Sequence, residues 1–456
     1  MKKQMRRGMS ALLVLLMVSS LAACGGNSDL AGTFSKDGKK VLKVAHVFSE
    51  TGDSGTDALF SEPYQWILKA KEEFEEKYPD YVVELEYIDA NNIDAKMMSD
   101  AASGISHDVV MTQSPMIAQH MKSQSLYNIE EFYNGWSQEE QEDFNWNPVW
   151  DNLKNNREGL YAIPFGLHTR TLAYRKSYFK DAGLDPDSPP KTFDEVVEYA
   201  KKLTDAENDR WGLGIYLGPH MAACEAMMAL TWSRGGAIFD DASGKATFTD
   251  PACVEAVNWV YDCVYNEKIS PSWTMSGDHS ETLLSPFLEG KFAMAYGIGN
   301  YWLADTEKTG LTEGAYPASA EVDGDVTWCV IPEEDGSLYC NAWCLGIHAN
   351  TSDAEASMHF IECALDPSVI GLSQSFGGLP ARASEYEGDI YSADFWQTWF
   401  HMAVENGHCA PETPYFSNLS DALVQAVQEI MLSEDASSIE GTLKQYEDDF
   451  NSQYAE

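Results

Sequence analysis

The residues of this chain best able to do chemistry are its cysteines, histidines and acids, and their spacing assembles no catalytic motif. There is no G-x-S-x-G, no H-E-x-x-H and no P-loop. Of nine cysteines, Cys340 and Cys344 are the closest pair, and Cys-x3-Cys alone is a poor zinc signature. Cys253 and Cys263 fall in one helical pattern. Ten residues of helix rise about 15 Å, beyond the reach of a disulfide. Cys224, Cys329, Cys363 and Cys409 are scattered through a long chain, unlike a small disulfide framework. These eight are expected to be buried thiols, with no metal and no cofactor. Glycoside hydrolysis would need two carboxylates at a defined separation in a cleft, an arrangement that leaves no mark on linear spacing.

The ninth cysteine has a different setting. Lys2, Lys3, Arg6 and Arg7 precede an apolar run, Ala11 to Val18, and then Leu21-Ala22-Ala23-Cys24. A basic head, a short apolar core and small residues at a cleavage point make a secretory signal peptide over residues 1–23. The run is shorter than the roughly 20 residues that span a bilayer. Leu-Ala-Ala-Cys resembles the lipobox of bacterial lipoproteins. The resemblance implies that Cys24 becomes the N-terminus and carries lipid on its sulfur and amine, and several acyl chains anchor stably. Residues 24–40 are rich in Gly, Ser, Asp and Lys and are expected to be a lipid-anchored flexible tether. The rest is expected on the outer face of the cytoplasmic membrane, extracellular or periplasmic. Its only contact with the membrane would be the N-terminal lipid.

Acidic residues outnumber basic ones by 72 to 30. Such a surface repels nucleic acid and anionic headgroups. It also disfavours anionic ligands, unless a local arginine overrides the field.

Roughly 430 residues follow the signal peptide, more than one hydrophobic core normally organises, so two lobes are expected. Val41 to Phe48 is β-rich, Glu62 to Tyr78 has Trp66, Ile67, Ala70 and Phe74 at helical spacing, and Tyr81 to Ile88 alternates. Strand, helix, strand is the βαβ signature of a parallel sheet. Asp108 to Met111 is a candidate next strand. Thr192 and Glu195 predict a capping box opening a helix that carries Phe193, Val196, Val197, Ala200 and Leu203 on one face. Further helices are predicted over Pro251–Tyr265, Ala354–Leu365 and Leu419–Leu432. Strands are predicted over Val326–Ile331 and Leu338–Ile347, with a turn signal at 333–337 between them.

Several segments resemble the extracellular solute-binding proteins of ABC importers, family 1, the maltose-binding-protein-like group. They are Tyr161-Ala162-Ile163-Pro164, then Leu172 to Phe179 (LAYRKSYF), Ala182-Gly183-Leu184, and Pro189 to Glu195 (PPKTFDE). Phe287 to Met294 (FLEGKFAM) and Gly377 to Arg382 (GGLPAR) follow in the family's order. Arg175 and Phe193 depart from the usual Asn and Trp. The resemblance implies an α/β, two-lobed periplasmic-binding-protein fold of type II, with the ligand cleft between lobes joined by hinge crossings. Lobe one would comprise 41–163 plus 347–411, and lobe two 164–346 plus 412–456. It implies capture of a small molecule, a carbohydrate and most simply an oligosaccharide, by a monomer that delivers it to ABC permease subunits without altering it. A small carboxylate held by Arg170 or Arg382 is the alternative ligand, and a surface glycoside hydrolase the alternative class.

Thirteen tryptophans give this implication chemical content. A sugar has an apolar C–H face suited to an aromatic ring, and hydroxyls suited to amide, carboxylate, Arg and His groups. Trp302 follows the GKFAM strand, where the family often carries a stacking aromatic. Trp232 precedes Gly235-Gly236, Trp273 lies in the loop Ser270 to Ser280, and Trp343 lies at an implied crossing. Gln113 and Ser114 follow the Asp108 strand. His168 and Arg170 sit in the first crossing, and Arg382 ends GGLPAR. Glu50 and Asp53 lie in the first strand-to-helix loop, the position that lines the crevice in open α/β sheets. Trp66 and Trp259 lie on apolar helical faces and are expected in the core.

Overall fold

A computed structural model describes residues 34–48 except 36, 64–299 except 147, 156 and 157, 325–371 except 333–335, and 378–455 except 389, 390 and 393. Cys24, Glu50, Asp53 and Trp302 lie outside these residues.

The first βαβ unit forms as its periodicities predict. Strand β1 (Lys40–His46) pairs in parallel with β2 (Tyr81–Tyr87), residue for residue from Lys40↔Tyr81 to His46↔Tyr87. Helix α1 (Tyr64–Lys77) crosses between them and buries the predicted face, Trp66, Ile67, Ala70 and Phe74. The indole of Trp66 also donates to the carbonyl of Ala364 at 2.8 Å, so burying the ring leaves its N–H satisfied. After α2 (Ile93–Ser103), strand β3 (Val109–Gln113) joins the other edge of β1 in parallel.

Two long strands then carry the chain between lobes. Strand β4 (Ala162–Arg175) is buried at all fourteen positions. A later strand, Leu338–Ile347, runs antiparallel between β3 and β4. It pairs with β4 from Tyr339↔Arg170 to Gly346↔Ala162. Beyond Arg170, β4 leaves it and pairs with two other strands, Phe292–Ile298 and Val326–Cys329, both antiparallel.

Between β4 and these strands lie α3 (Phe193–Leu203), β5 (Trp211–Ile215), α4 (Met221–Trp232) and α5 (Pro251–Tyr261). They are followed by β6 (Phe292–Ile298), β7 (Val326–Cys329) and β8 (Leu338–Ile347), then α6 (Ala354–Ala364), α7 (Asp394–Asn406), α8 (Phe416–Ser433) and α9 (Ile439–Tyr454). The sheet order is β2-β1-β3-β8-β4-β6-β5. Parallel β5–β6 closes the second half, as β1–β2 closes the first.

Two apolar cores result. One holds residues 42–167 and 340–403, the other 172–331, Tyr339 and 410–450. The core changes inside β4 between Leu167 and Leu172, inside β8 between Tyr339 and Cys340, and after Ala403. The sequence expectation put the last two at 346/347 and 411/412. Within β8 every residue is buried, so its apolar run carries no mark of where one core hands over to the other.

Three local expectations are corrected. Only half of the predicted capping box forms. Thr192 Oγ1 accepts from Glu195 N at 3.2 Å, but the Glu195 carboxylate takes the N–H of Lys191, not Thr192, at 2.6 Å. The helix begun at Pro251 is regular to Tyr261 and continues as a wider turn over Asp262–Asn266. The strands either side of residues 333–337 do not pair with each other, since each pairs with a different stretch of β4.

Candidate functional site

A cleft of about 560 Å³ lies between the two cores. Strand ends and helix starts build it, as chain direction requires in an open α/β sheet. The floor is a row of three side chains on adjacent strands. Gln113 ends β3, Asn341 lies beside it on β8, and His168 is the registered partner of Asn341 on β4. The Asn341 amide donates to Gln113 Oε1 at 3.4 Å. Trp343, two residues along β8, adds an aromatic ring and is only 5% exposed.

The wall from the first core comes from the end of β2 and the start of α2: Tyr87, Asp89, Asn91 and Asp94. Asp94 is held in place. Its Oδ1 accepts from the Thr112 hydroxyl and from His120 Nε2 at 2.8 Å, and His120 Nδ1 meets Ser125 Oγ at 2.6 Å. Aspartate, histidine and serine in that order imitate a nucleophile relay. Here His120 and Ser125 are fully buried, so the serine oxygen meets no substrate and the relay orients Asp94.

The opposite wall comes from the second core. His220 caps α4 with Nδ1, accepting from Ala222 N at 3.1 Å. His220 follows Gly218-Pro219 and precedes an apolar run, which is the sequence signal of a helix start. One turn into α4, Glu225 is buried and pairs with Arg170 of β4, Nε to Oε2 2.9 Å. Asp278 and His279 complete this side, with Ser417, Ser420 and Asp421 at the start of α8.

Burial keeps the imidazoles neutral. It pulls His168 down to about 3, assisted by the Arg170 charge. His279 is driven well below its usual range by burial and then by Arg170 and His220. His220 is lowered chiefly by burial. A neutral imidazole offers one donor and one acceptor, the polarity that hydroxyl groups need.

The expected ligand residues divide. Gln113, His168, Arg170 and Trp343 come together in the cleft. Ser114 does not line it, because its hydroxyl is turned inward to accept from Ala342 N at 3.1 Å. Trp232 is half-buried and stacks on Tyr339 and His408 at 6.3 and 5.4 Å. Trp273 lies outside the cleft, stacked on Phe292. Arg382 lies within the first core region, where it binds Asp143 at 2.7 Å and the Leu365 carbonyl at 2.8 Å. Trp302, Glu50 and Asp53 fall outside the described residues. Sequence reasoning missed Asn91, Asp94, His220, Glu225, Asp278, His279 and Asn341. Among the described residues no group of three or more His, Cys, Asp or Glu side chains is arranged to hold a metal.

Two α/β lobes around a polar cleft define the class of two-lobed solute receptors. The chain belongs to the bacterial extracellular solute-binding protein family, whose profile matches residues 57–369. It is 24% identical over 292 residues to a maltotriose-binding protein of Pyrococcus abyssi, covering 63% of this chain and 59% of that one. It is 27% identical over 232 residues to a probable amino-acid ABC transporter periplasmic-binding protein of Sinorhizobium fredii, covering 50% and 49%. The match thus spans little more than half of the first relative and about half of the second. Among solved structures, an ABC transporter solute-binding protein of Thermotoga lettingae bound with α-D-tagatose superposes with a TM-score of 0.75. It has 21% identity and covers 91% of this chain and 99% of that one.

Proposed function

We propose that this protein captures a carbohydrate outside the cytoplasmic membrane and delivers it, unaltered, to an ABC permease. The observation that carries the reading is the floor row Gln113–Asn341–His168 beside Trp343. Amides and a neutral imidazole match hydroxyls, and the indole ring suits a C–H face. The relative named for maltotriose and the solved structure bound with α-D-tagatose support the same class. The cleft is large enough for an oligosaccharide of a few rings. The carboxylate alternative loses support, because the Arg170 charge is offset by Glu225 and Arg382 lies away from the cleft.

A thermal-shift screen of the purified protein against neutral mono- and oligosaccharides tests the reading. A binder of the folded state alone raises the melting temperature, by about 2.7 kcal/mol of stabilisation at a hundredfold excess over Kd. The sugar should be recovered intact. Cleavage products would favour the hydrolase, and a shift only with carboxylates would favour the alternative ligand.

The same reading makes the protein a monomer held at the membrane through lipid on Cys24, motivated by Leu21-Ala22-Ala23-Cys24. Cys24→Ala should release protein into the medium or leave an uncleaved precursor. Retention and processing like the parent protein would remove the anchor.

A further inference from the structure

The cleft presents a buried acceptor oxygen that no donor of the protein meets. Asn341 is 3% exposed and lines it, yet its Oδ1 has no hydrogen-bond partner. A buried amide oxygen without a donor is costly, so a bound ligand that brings one gains accordingly. Asp94 repeats the pattern. Both donors that orient it go to Oδ1, and the residue lines the cleft.

The charge balance goes the same way. Arg170 and Glu225 offset each other. Asp89, Asp94 and Asp421 then add negative charge, with no lysine and no second arginine among the described lining residues. Neutral His168, His220 and His279 add no positive charge.

We infer that the ligand is a carbohydrate bearing a protonated amine, which the cleft selects over its neutral counterpart and strongly over its acidic one. The inference rests on the carbohydrate reading above and names the substrate class within it. An ammonium group supplies three donors to acceptor oxygens and a charge that these carboxylates attract. A uronate would bring an acceptor to acceptors and an anion to anions. The preference is electrostatic, so salt must weaken it.

Calorimetry on the purified full chain at about pH 6, where a sugar amine is mostly protonated, tests this with matched probes. D-glucosamine is compared with D-glucose and D-glucuronate, D-galactosamine with D-galactose, and the diamino disaccharide of chitosan with cellobiose. The amine should bind about tenfold or more tightly than its neutral partner at low salt, with the gap closing as salt is added. Asp94→Asn keeps an oxygen for Thr112 and His120 and should narrow the gap. Asp421→Asn, on the exposed opposite wall, should do so without touching that network. A neutral sugar that binds as tightly as its amine partner overturns this inference and leaves the carbohydrate reading standing. So does binding of neutral sugars by a protein that takes none of the amines. If no sugar of any charge binds, both fall.

Discussion

Nε2 of His220 stands 3.2 Å from Oδ1 of Asn91, and the two residues belong to opposite walls of the cleft. His220 Nδ1 is already accepting the Ala222 N–H. The proton therefore sits on Nε2, which donates to Asn91. One neutral imidazole thus caps a helix of the second lobe and bridges to the first. Lys122 reaching the hydroxyl of Tyr415, and Ser417 donating to Gln119 at 3.0 Å, connect the lobes nearby.

Asn91→Ala removes the bridge and spares the helix cap. The ligand-free protein should then show a larger radius of gyration by small-angle scattering, since lobes of this kind move by hinge rotation. His220→Ala should add a loss of about 1 kcal/mol in stability from the missing cap. An unchanged radius in Asn91→Ala would mean that the bridge does not hold the lobes together.

Stability should fall as acid is added, through a window set by the histidines. Burial lowers His46 from 6.5 to about 4, and burial with the Arg170 charge lowers His168 to about 3. Below pH 6.5 the unfolded chain takes up protons that the folded chain refuses. The stabilisation is complete above that pH and disappears as pH falls toward about 4, by up to about 1.4 kcal/mol per unit for each such histidine. Buried Asp108 and the partly desolvated Asp241, whose carboxyls are raised by desolvation, act in the opposite sense. Urea titrations between about pH 7 and pH 4 should show a falling midpoint, less steep in His46→Gln. A midpoint that is flat or rises on acidification would contradict the assignment.

Glu225→Ala leaves the Arg170 guanidinium buried without its carboxylate. Breaking such a pair costs about 3–5 kcal/mol, whereas replacing both members with apolar residues of like volume is often neutral. Glu225→Ala should therefore lower the urea midpoint sharply, and Arg170→Met with Glu225→Met should recover most of it. A double variant as unstable as the single one would show that packing, not the unpaired charge, causes the loss.

The eight cysteines among the described residues form no disulfide, and seven are buried. Burial pushes Cys224, Cys253 and Cys340 up to about 12, so little thiolate forms at neutral pH. Of these eight, a thiol-reactive dye should label Cys409 alone in the native protein, and the rest only after denaturation. Rapid native labelling in Cys409→Ser would expose an error in the burial of the core.

The sequence carried the fold well where one face of an element is buried and the other wet. Trp66, Ile67, Ala70 and Phe74 announce α1, and Tyr81 to Tyr87 pairs where alternation puts it. The long crossing strands gave less away, since β4 and β8 are buried on every residue and show no period. The cleft was half legible. Gln113, His168, Arg170 and Trp343 sit on crossing strands or strand ends, where a motif pointed. Asp94, His220, Glu225 and Asn341 reach it from three different elements, and only the folded chain brings them together. Ser114 and Arg382 lay beside good signals, but each is taken up by a protein partner, Ala342 and Asp143 respectively. Residue type cannot reveal that competition.

Strand β8 also dictates when this molecule can finish folding. Asn341 meets Gln113 across 228 residues of chain, and β8 covers edges of both β3 and β4. Until it emerges from the ribosome, those edges have no partner and the first core, which takes Cys340 to Ile347 from it, cannot close. Pairings so distant in sequence form slowly. A chain bound for the outside of the cell thus remains threadable while it is being made, and it leaves a strand edge open to unwanted pairing over the same interval. The central pairings of the sheet therefore wait until residues 338–347 have been made.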